Sequence, residues 1–263
     1  MEINKYASQL GFSSAGQSYR TLNVDNGSDL QGTGATGDFV EKQFENEQVV
    51  KYPFAKEFTG TVVANRAQVV SSGKQKSWMT TEFDPMSKEL IPVMGLKDGQ
   101  IMKNKDGITV AKWMTYQDLK KAKSTTNPDG SVDRHYVYFT ILYIKLEGQD
   151  EVVKLKVKGG GRGNYIDYVK SLQKKGLEPF TVITRFYTSI DPSSNKYAVF
   201  FEPTIDEQGQ VKQVQEQQEV IQAMKTLIEE KKTRMAKLTP PQDMPVIDAS
   251  SNEEINNNEI PFP

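Results

Sequence analysis

Between Trp78 and Tyr197 the chain interleaves flat aromatic rings with cations. The rings are Trp78, Trp113, Tyr136, Tyr138, Phe186, Tyr187 and Tyr197; the cations are Lys154, Lys156, Lys158, Arg162, Arg185 and Lys196. Cations spaced along a groove can meet successive phosphates, and exposed rings can stack on unpaired bases for about 1–3 kcal/mol each. The pattern points to a single-stranded nucleic acid as ligand, held with little regard to sequence. The strictest spacing runs from Val153 to Lys158, where apolar residues alternate with lysine. In a strand this gives one face to a core and lines the other with Lys154, Lys156 and Lys158. Tyr136–Leu146 has the same period, but with rings in both parities. Val137, Phe139 and Ile141 are the better core residues, so Tyr136 and Tyr138 are expected on the exposed face. Trp78, flanked by Lys76, Ser77 and Thr80, is expected at the surface.

The net charge of -1 conceals a partition. Residues 51–200 carry 24 basic and 15 acidic side chains, a net of +9, between ends of net −4 and −6. A basic middle between acidic ends suits a domain that binds a polyanion. The chain has no cysteine and one histidine, His135, which excludes disulfides and thiolate sites and leaves little for a histidine-based zinc site or triad. Met1-Glu2-Ile3-Asn4-Lys5-Tyr6 lacks the basic start and apolar stretch of a secretory signal. No apolar run approaches the length of a membrane span. A cytoplasmic protein with no metal, no cofactor and no membrane partner is the expectation.

Gly159-Gly160-Gly161-Arg162-Gly163 precedes the helical spacing of Tyr165, Val169 and Leu172. Three readings fit: a tight strand-to-helix turn, a backbone contact to DNA aided by Arg162, or a nucleotide cradle at a helix start. The run lacks the Gly-Lys-Ser/Thr of a P-loop and the spacing of a dinucleotide fingerprint.

These residues need elements to hold them. Residues 1–50 read as a flexible arm, small and polar from Gly27 to Gly37, with a short helix near Phe39–Phe44. Strands are expected over 58–66 with Val69-Val70 prolonging them, then 108–114, 136–146, 152–158, 180–187 and 196–201, with turns at 147–150 and 191–195. A helix after the glycines should stop at Gly176. Strands, one short helix and a closing hairpin are the order of an OB-fold, a five-stranded Greek-key barrel. The expected class is therefore mainly β, with the barrel over 51–205 and a large insertion over 71–134. The insertion holds Trp78, Trp113, the lysines of 120–123 and the loop from Thr125 to Gly130. A long helix is expected over 206–238, strongest from Val211 to Leu238, before Thr239-Pro240-Pro241. Its a/d rhythm is broken by Gln217 and Lys231, which favours packing on the barrel over a self-associating coil, with a homo-oligomer left open.

From Thr239 the chain holds Asp243, Asp248, Glu253, Glu254 and Glu259 and no Lys or Arg, the composition of a disordered acidic tail. It closes with Glu259-Ile260-Pro261-Phe262-Pro263, an apolar tip on an acidic leash. This tip resembles that of bacterial and phage single-stranded DNA-binding proteins, which end in an acidic run and Ile-Pro-Phe. Here Glu259 alone directly precedes Ile260, and Pro263 follows the Phe on which that family ends. The stretch from Val152 to Phe201, with Lys174-Lys175-Gly176 at its helix end, also resembles the second half of that family's binding domain. The resemblance implies an OB-fold that coats single-stranded DNA. It also implies a tip, Glu259 to Pro263, that recruits replication, recombination and repair proteins. A non-catalytic role follows. The alternatives are an OB-fold scaffold that binds protein or RNA, and a nucleotide-dependent enzyme using Gly159–Gly163 with Asp167.

Overall fold

Alternating β-branched and aromatic residues hold much of the described chain extended. The described residues are mainly β, with one open mixed sheet, two small hairpins and three helices. The structure is a computed structural model. It describes residues 19–26, 36–45, 48–71, 78–86, 88–95, 101–103, 109–121, 124–126, 132–134, 136–215 and 217–236. The acidic tail and its tip, the first eighteen residues, His135 and most of the loop from Thr125 to Gly130 lie outside them.

In chain order the strands begin with β1 (Thr21–Val24), β2 (Phe39–Glu45), β3 (Gln48–Ala55) and β4 (Glu57–Ser71). Next come β5 (Met79–Thr80), β6 (Ile91–Met94), β7 (Ile101–Lys103), β8 (Thr109–Ala111), β9 (Trp113–Met114) and helix α1 (Tyr116–Lys121). Hairpin β10 (Ser124–Thr126) and β11 (Val132–Arg134) leads into β12 (Tyr136–Leu146) and β13 (Val152–Val157). Helix α2 (Gly159–Gln173), β14 (Thr184–Asp191), β15 (Lys196–Pro203) and helix α3 (Gln217–Ala236) complete the order. Two compact units result. One comprises residues up to Gln68 and from Tyr138 to Glu230; the other runs from Val69 to Val137 and resumes at Lys231. The second overlaps the stretch 71–134 but also takes in residues from Lys231 onward.

In the first unit the strand order is β3-β2-β1-β13-β12-β4, with β14 on the first residues of β4 and β15 on β14. β1 joins β13 in parallel, Thr21 beside Lys154. Beyond β1 the ladder is replaced by side chains. Asn26 Nδ2 donates to the Tyr197 carbonyl at 3.1 Å, and Tyr197 N donates to Asn26 Oδ1 at 2.8 Å. Asn164 of α2 donates to the Val199 carbonyl at 2.8 Å. These amides satisfy the outer edge of β15, whose open backbone groups would otherwise invite another strand. Inside, Leu142, Ile144, Leu155, Leu172 and Phe186 are fully buried together. Side chains of this size contribute about 1.5–3 kcal/mol each on burial. Helix α2 ends as its sequence predicts: Gly176 has φ +69, and Leu177 N donates back to the Leu172 carbonyl.

Two expectations for this unit are corrected. The arm over residues 1–50, with its short helix, is instead β1, β2 and β3 where described, and Leu22 and Phe39 are fully buried. The glycine-rich stretch signals a connection, not the state of the strands around it. The final helix begins at Gln217 rather than Val211, because Val211 and Gln213 make β-bridges to Ile205 and Val182.

In the second unit β5, β6 and β9 follow the end of β4, with Val70 paired to Met79. The strand expected over 108–114 is split into β8 and β9. Helix α1 is capped reciprocally by Thr115 and Asp118: Asp118 N donates to Thr115 Oγ1 and Thr115 N to the Asp118 carboxylate. Trp78, Phe83, Trp113 and Leu119 are buried here.

Candidate nucleic-acid interface

The register of β12 on β13 decides which side chains share a face. Ile141 lies opposite Lys156 and Tyr143 opposite Lys154, while Leu142 lies opposite Leu155. Leucine and valine of β13 enter the core, and its lysines share the outer face with Phe139, Ile141 and Tyr143. The expected alternation of β13 therefore holds. The expected parity of β12 does not: the core set is Leu142, Ile144 and Leu146, and Phe139 is outward and half-buried. Sequence reasoning misses Phe139. The pairing with β13, whose faces are unambiguous in sequence, is the signal that finds it.

Around Phe139 the cations converge. Lys156 Nζ lies 5.5 Å and Lys158 Nζ 5.8 Å from its ring centroid. Arg162, on the first turn of α2, lies 4.7 Å from the centroid of the half-buried ring of Tyr138, which has the parity of Leu142 and so belongs to the other face of β12. A cation over a ring is worth about 0.5–1 kcal/mol at exposed sites, enough to hold the long side chains in place. The result is a patch where stacking surface and positive charge coincide.

Other expected positions are not open. Lys154 is 8% exposed, its Nζ 5.2 and 5.1 Å from the rings of Tyr19 and Tyr143. It faces away from the main core, but Val220, Ala223 and Leu227 of α3 build a second apolar layer over that part of the face. Trp78, Trp113 and Tyr136 are buried, against the expectation that Trp78 and Tyr136 present a surface ring. Trp78 meets Tyr136 edge to face at 6.2 Å, and Tyr136 Oη donates to the Leu119 carbonyl at 2.7 Å. A small unit of short strands spends its largest rings on its own core. Phe186 is fully buried, stacked on Phe58 at 4.8 Å. These rings have no face to offer a base.

The β14–β15 hairpin presents a second aromatic pair. Tyr187 and Phe200 lie opposite in register, stacked at 5.7 Å with planes 23° apart, and both are half-buried. Arg185 lies 4.8 Å over Tyr187, ion-paired to Glu57 at 2.5 Å and Glu202 at 3.4 Å. Tyr187 Oη donates to Glu202 at 2.7 Å. The hydrogen bond and charge of Glu57, with Glu202 beside it, raise the Arg185 pKa further. A phosphate at Arg185 would have to compete with two carboxylates. Lys196 is exposed at the hairpin turn, and Tyr197 is half-buried over Gly37.

Gly159 to Gly163 form the opening turns of α2. A Cβ at Gly160 would collide with the Asp191 carboxylate, and one at Gly161 would crowd Val199. The glycines thus let the helix start lie directly against the hairpin, with Asp191 already placed at that start. Asp191 also accepts from Ser193 Oγ, Ser193 N and Ser194 Oγ, which hold its carboxyl below the usual range. The run is thus part of the helix itself rather than a turn before it, and its glycines allow the close seating on the hairpin.

Comparison with protein-family models, curated proteins and solved structures finds no match. Among the described residues no acidic or histidine cluster could hold a metal ion, and no helix is long and apolar enough to cross a membrane.

Proposed function

We infer that this chain binds single-stranded DNA without sequence preference, on the outer face of β12–β13. The observation that carries the reading is the patch in which Phe139 meets Lys156 and Lys158. It combines the two requirements of sequence-tolerant binding, ring faces and backbone charge. The topology supports it. In an open mixed sheet, β4, β12 and β13 in sequence, a helix, then β14 returning to β4 with β15 beside it is an order we read as OB-like. β1 occupies the β13 edge, where such a barrel would close. The resemblance of the chain end to single-stranded DNA-binding proteins adds a recruiting role for Ile260-Pro261-Phe262 toward replication, recombination and repair proteins. No chemical step is part of this reading.

The test is a titration with oligo-dT, duplex DNA and RNA of equal length over a range of salt. Oligo-dT should bind tightest, with a log–log slope of about −0.7 for each phosphate neutralised. Equal affinity for duplex, or a slope near zero, removes the reading. The acid-paired Arg185 and its ring stack favour a scaffold as the second reading, which predicts no oligonucleotide binding and a protein partner for β14–β15.

A further inference from the structure

The outer face of β12–β13 is not equally open along its length. Lys158 is exposed, Lys156 is half-buried and Lys154 is 8% exposed. The cover is α3, whose Val220, Ala223 and Leu227 rest on Ile141, Tyr143 and Val152. Polar contacts hold it, Lys231 Nζ to the Glu89 carboxylate at 2.7 Å among them. Lys145 Nζ lies 2.9 Å from the Glu219 carboxylate, and Tyr19 Oη donates to Glu230 at 2.8 Å. The covered strip repeats the chemistry of the open one: an ammonium between rings, Lys154 with Tyr19 and Tyr143, as Lys156 lies against Phe139. The seam is thin. Ile221 and Ile228 of the same helix are 47% and 46% exposed, so much of the helix's apolar surface remains in water. Segments that bury little apolar surface open at the low end of the local stability range.

We propose that α3 is a strap over the second half of the single-strand track, and that a bound strand displaces it. The proposal rests on the reading of β12–β13 as a single-strand site. A short strand needs only the open patch of Phe139, Lys156 and Lys158. A longer one continues toward Lys154 and Tyr143 once the helix lifts, so its apparent affinity is reduced by the fraction of molecules with α3 open. The two acids that fasten the strap are repelled by an arriving phosphate backbone, and the lysines they cover are attracted to it.

The experiment compares oligo-dT of about 5 and about 20 nucleotides, lengths that bracket the span of one OB-fold site. Hydrogen exchange over 217–230 is measured with and without the longer strand. In the unchanged chain the longer strand should speed exchange in α3 and slow it in β12–β13. Leu227→Ala, which weakens the seam without altering charge, should raise affinity for the longer strand about threefold or more and leave the shorter unchanged. Ile228→Ala, on the outward side, should change neither. A melting curve establishes that Leu227→Ala folds, and the exchange data decide the matter if it does not. Binding with α3 equally or better protected overturns the strap and leaves the site standing. If neither oligonucleotide binds, the site reading falls and the strap with it.

Discussion

Phe139 is the residue on which the functional reading turns, because two ammonium groups share its ring. Phe139→Ala should weaken oligo-dT binding by about 1–3 kcal/mol, the value of one stacking interaction, with little change in melting temperature. Trp78→Ala should behave in the opposite way. Its ring is buried against Tyr136, so truncation should cost about 3–5 kcal/mol of stability and leave the affinity of the folded protein unchanged. Measuring both variants by titration and by melting separates a binding ring from a packing ring. Tyr168 gives a pH test. Burial, only partly offset by its bond to Thr184, raises its phenol from 10.0 to about 12. The folded state therefore holds that proton more tightly than the unfolded chain. The stabilisation, about 3 kcal/mol, is fully present below pH 10 and is lost as pH rises from 10 to 12. Tyr165 is shifted in the same direction by deeper burial. Melting temperature should fall over that window, and an unchanged value would refute the burial assignment. At this scale the sequence names the residue types of the patch and only some of its positions. Lys156 and Lys158 lie beside Phe139, while Tyr138 and Arg162 meet on the other face of β12. Trp78, Tyr136 and Phe186 are not in the patch, because local polarity around a ring says little about what the rest of the chain lays over it.

Elements are legible where the pattern is local. The alternation from Val153 to Lys158 and the stop at Gly176 both stand as the sequence predicts. What is illegible depends on partners far along the chain. β1 is held by β13, whose Lys154 N donates to the Arg20 carbonyl, some hundred and thirty residues away. The face of β12 is set by β13 and α3 rather than by its own composition. The start of α2 offers an element-scale test. Glycine inside a helix normally costs about 0.5–1 kcal/mol relative to alanine, so replacing it should stabilise. At Gly160 the sign should reverse, since a methyl group would displace Asp191 and the turn it organises. Gly163→Ala, where nothing lies within reach of a Cβ, is the control and should stabilise or be neutral. If Gly160→Ala also raised the melting temperature, the close seating of α2 on the hairpin would be wrong.

For the whole molecule, the stretch read as an insertion overlaps the second unit, which also takes in residues from Lys231 onward. The pairing of β14 back onto β4 could not be read from order alone. Lys156→Ala with Lys158→Ala should weaken oligo-dT binding and flatten the salt slope by about 0.7 for each phosphate no longer neutralised. Phe262→Ala should leave that affinity intact while abolishing capture of replication or repair proteins from an extract. Capture that survives the substitution would remove the recruiting role of the tip.

The chain has two tryptophans, and both are buried in the second unit. Their emission is consequently a reporter for the second unit alone. A strand bound on β12–β13 should leave it unquenched, and a thermal scan read at tryptophan wavelengths should follow the melting of that unit's core. Tyrosine emission and far-ultraviolet dichroism sample both units. If the units melt apart, the signals will diverge, and the natural placement of two indoles will resolve which unit gives way first without any label being introduced.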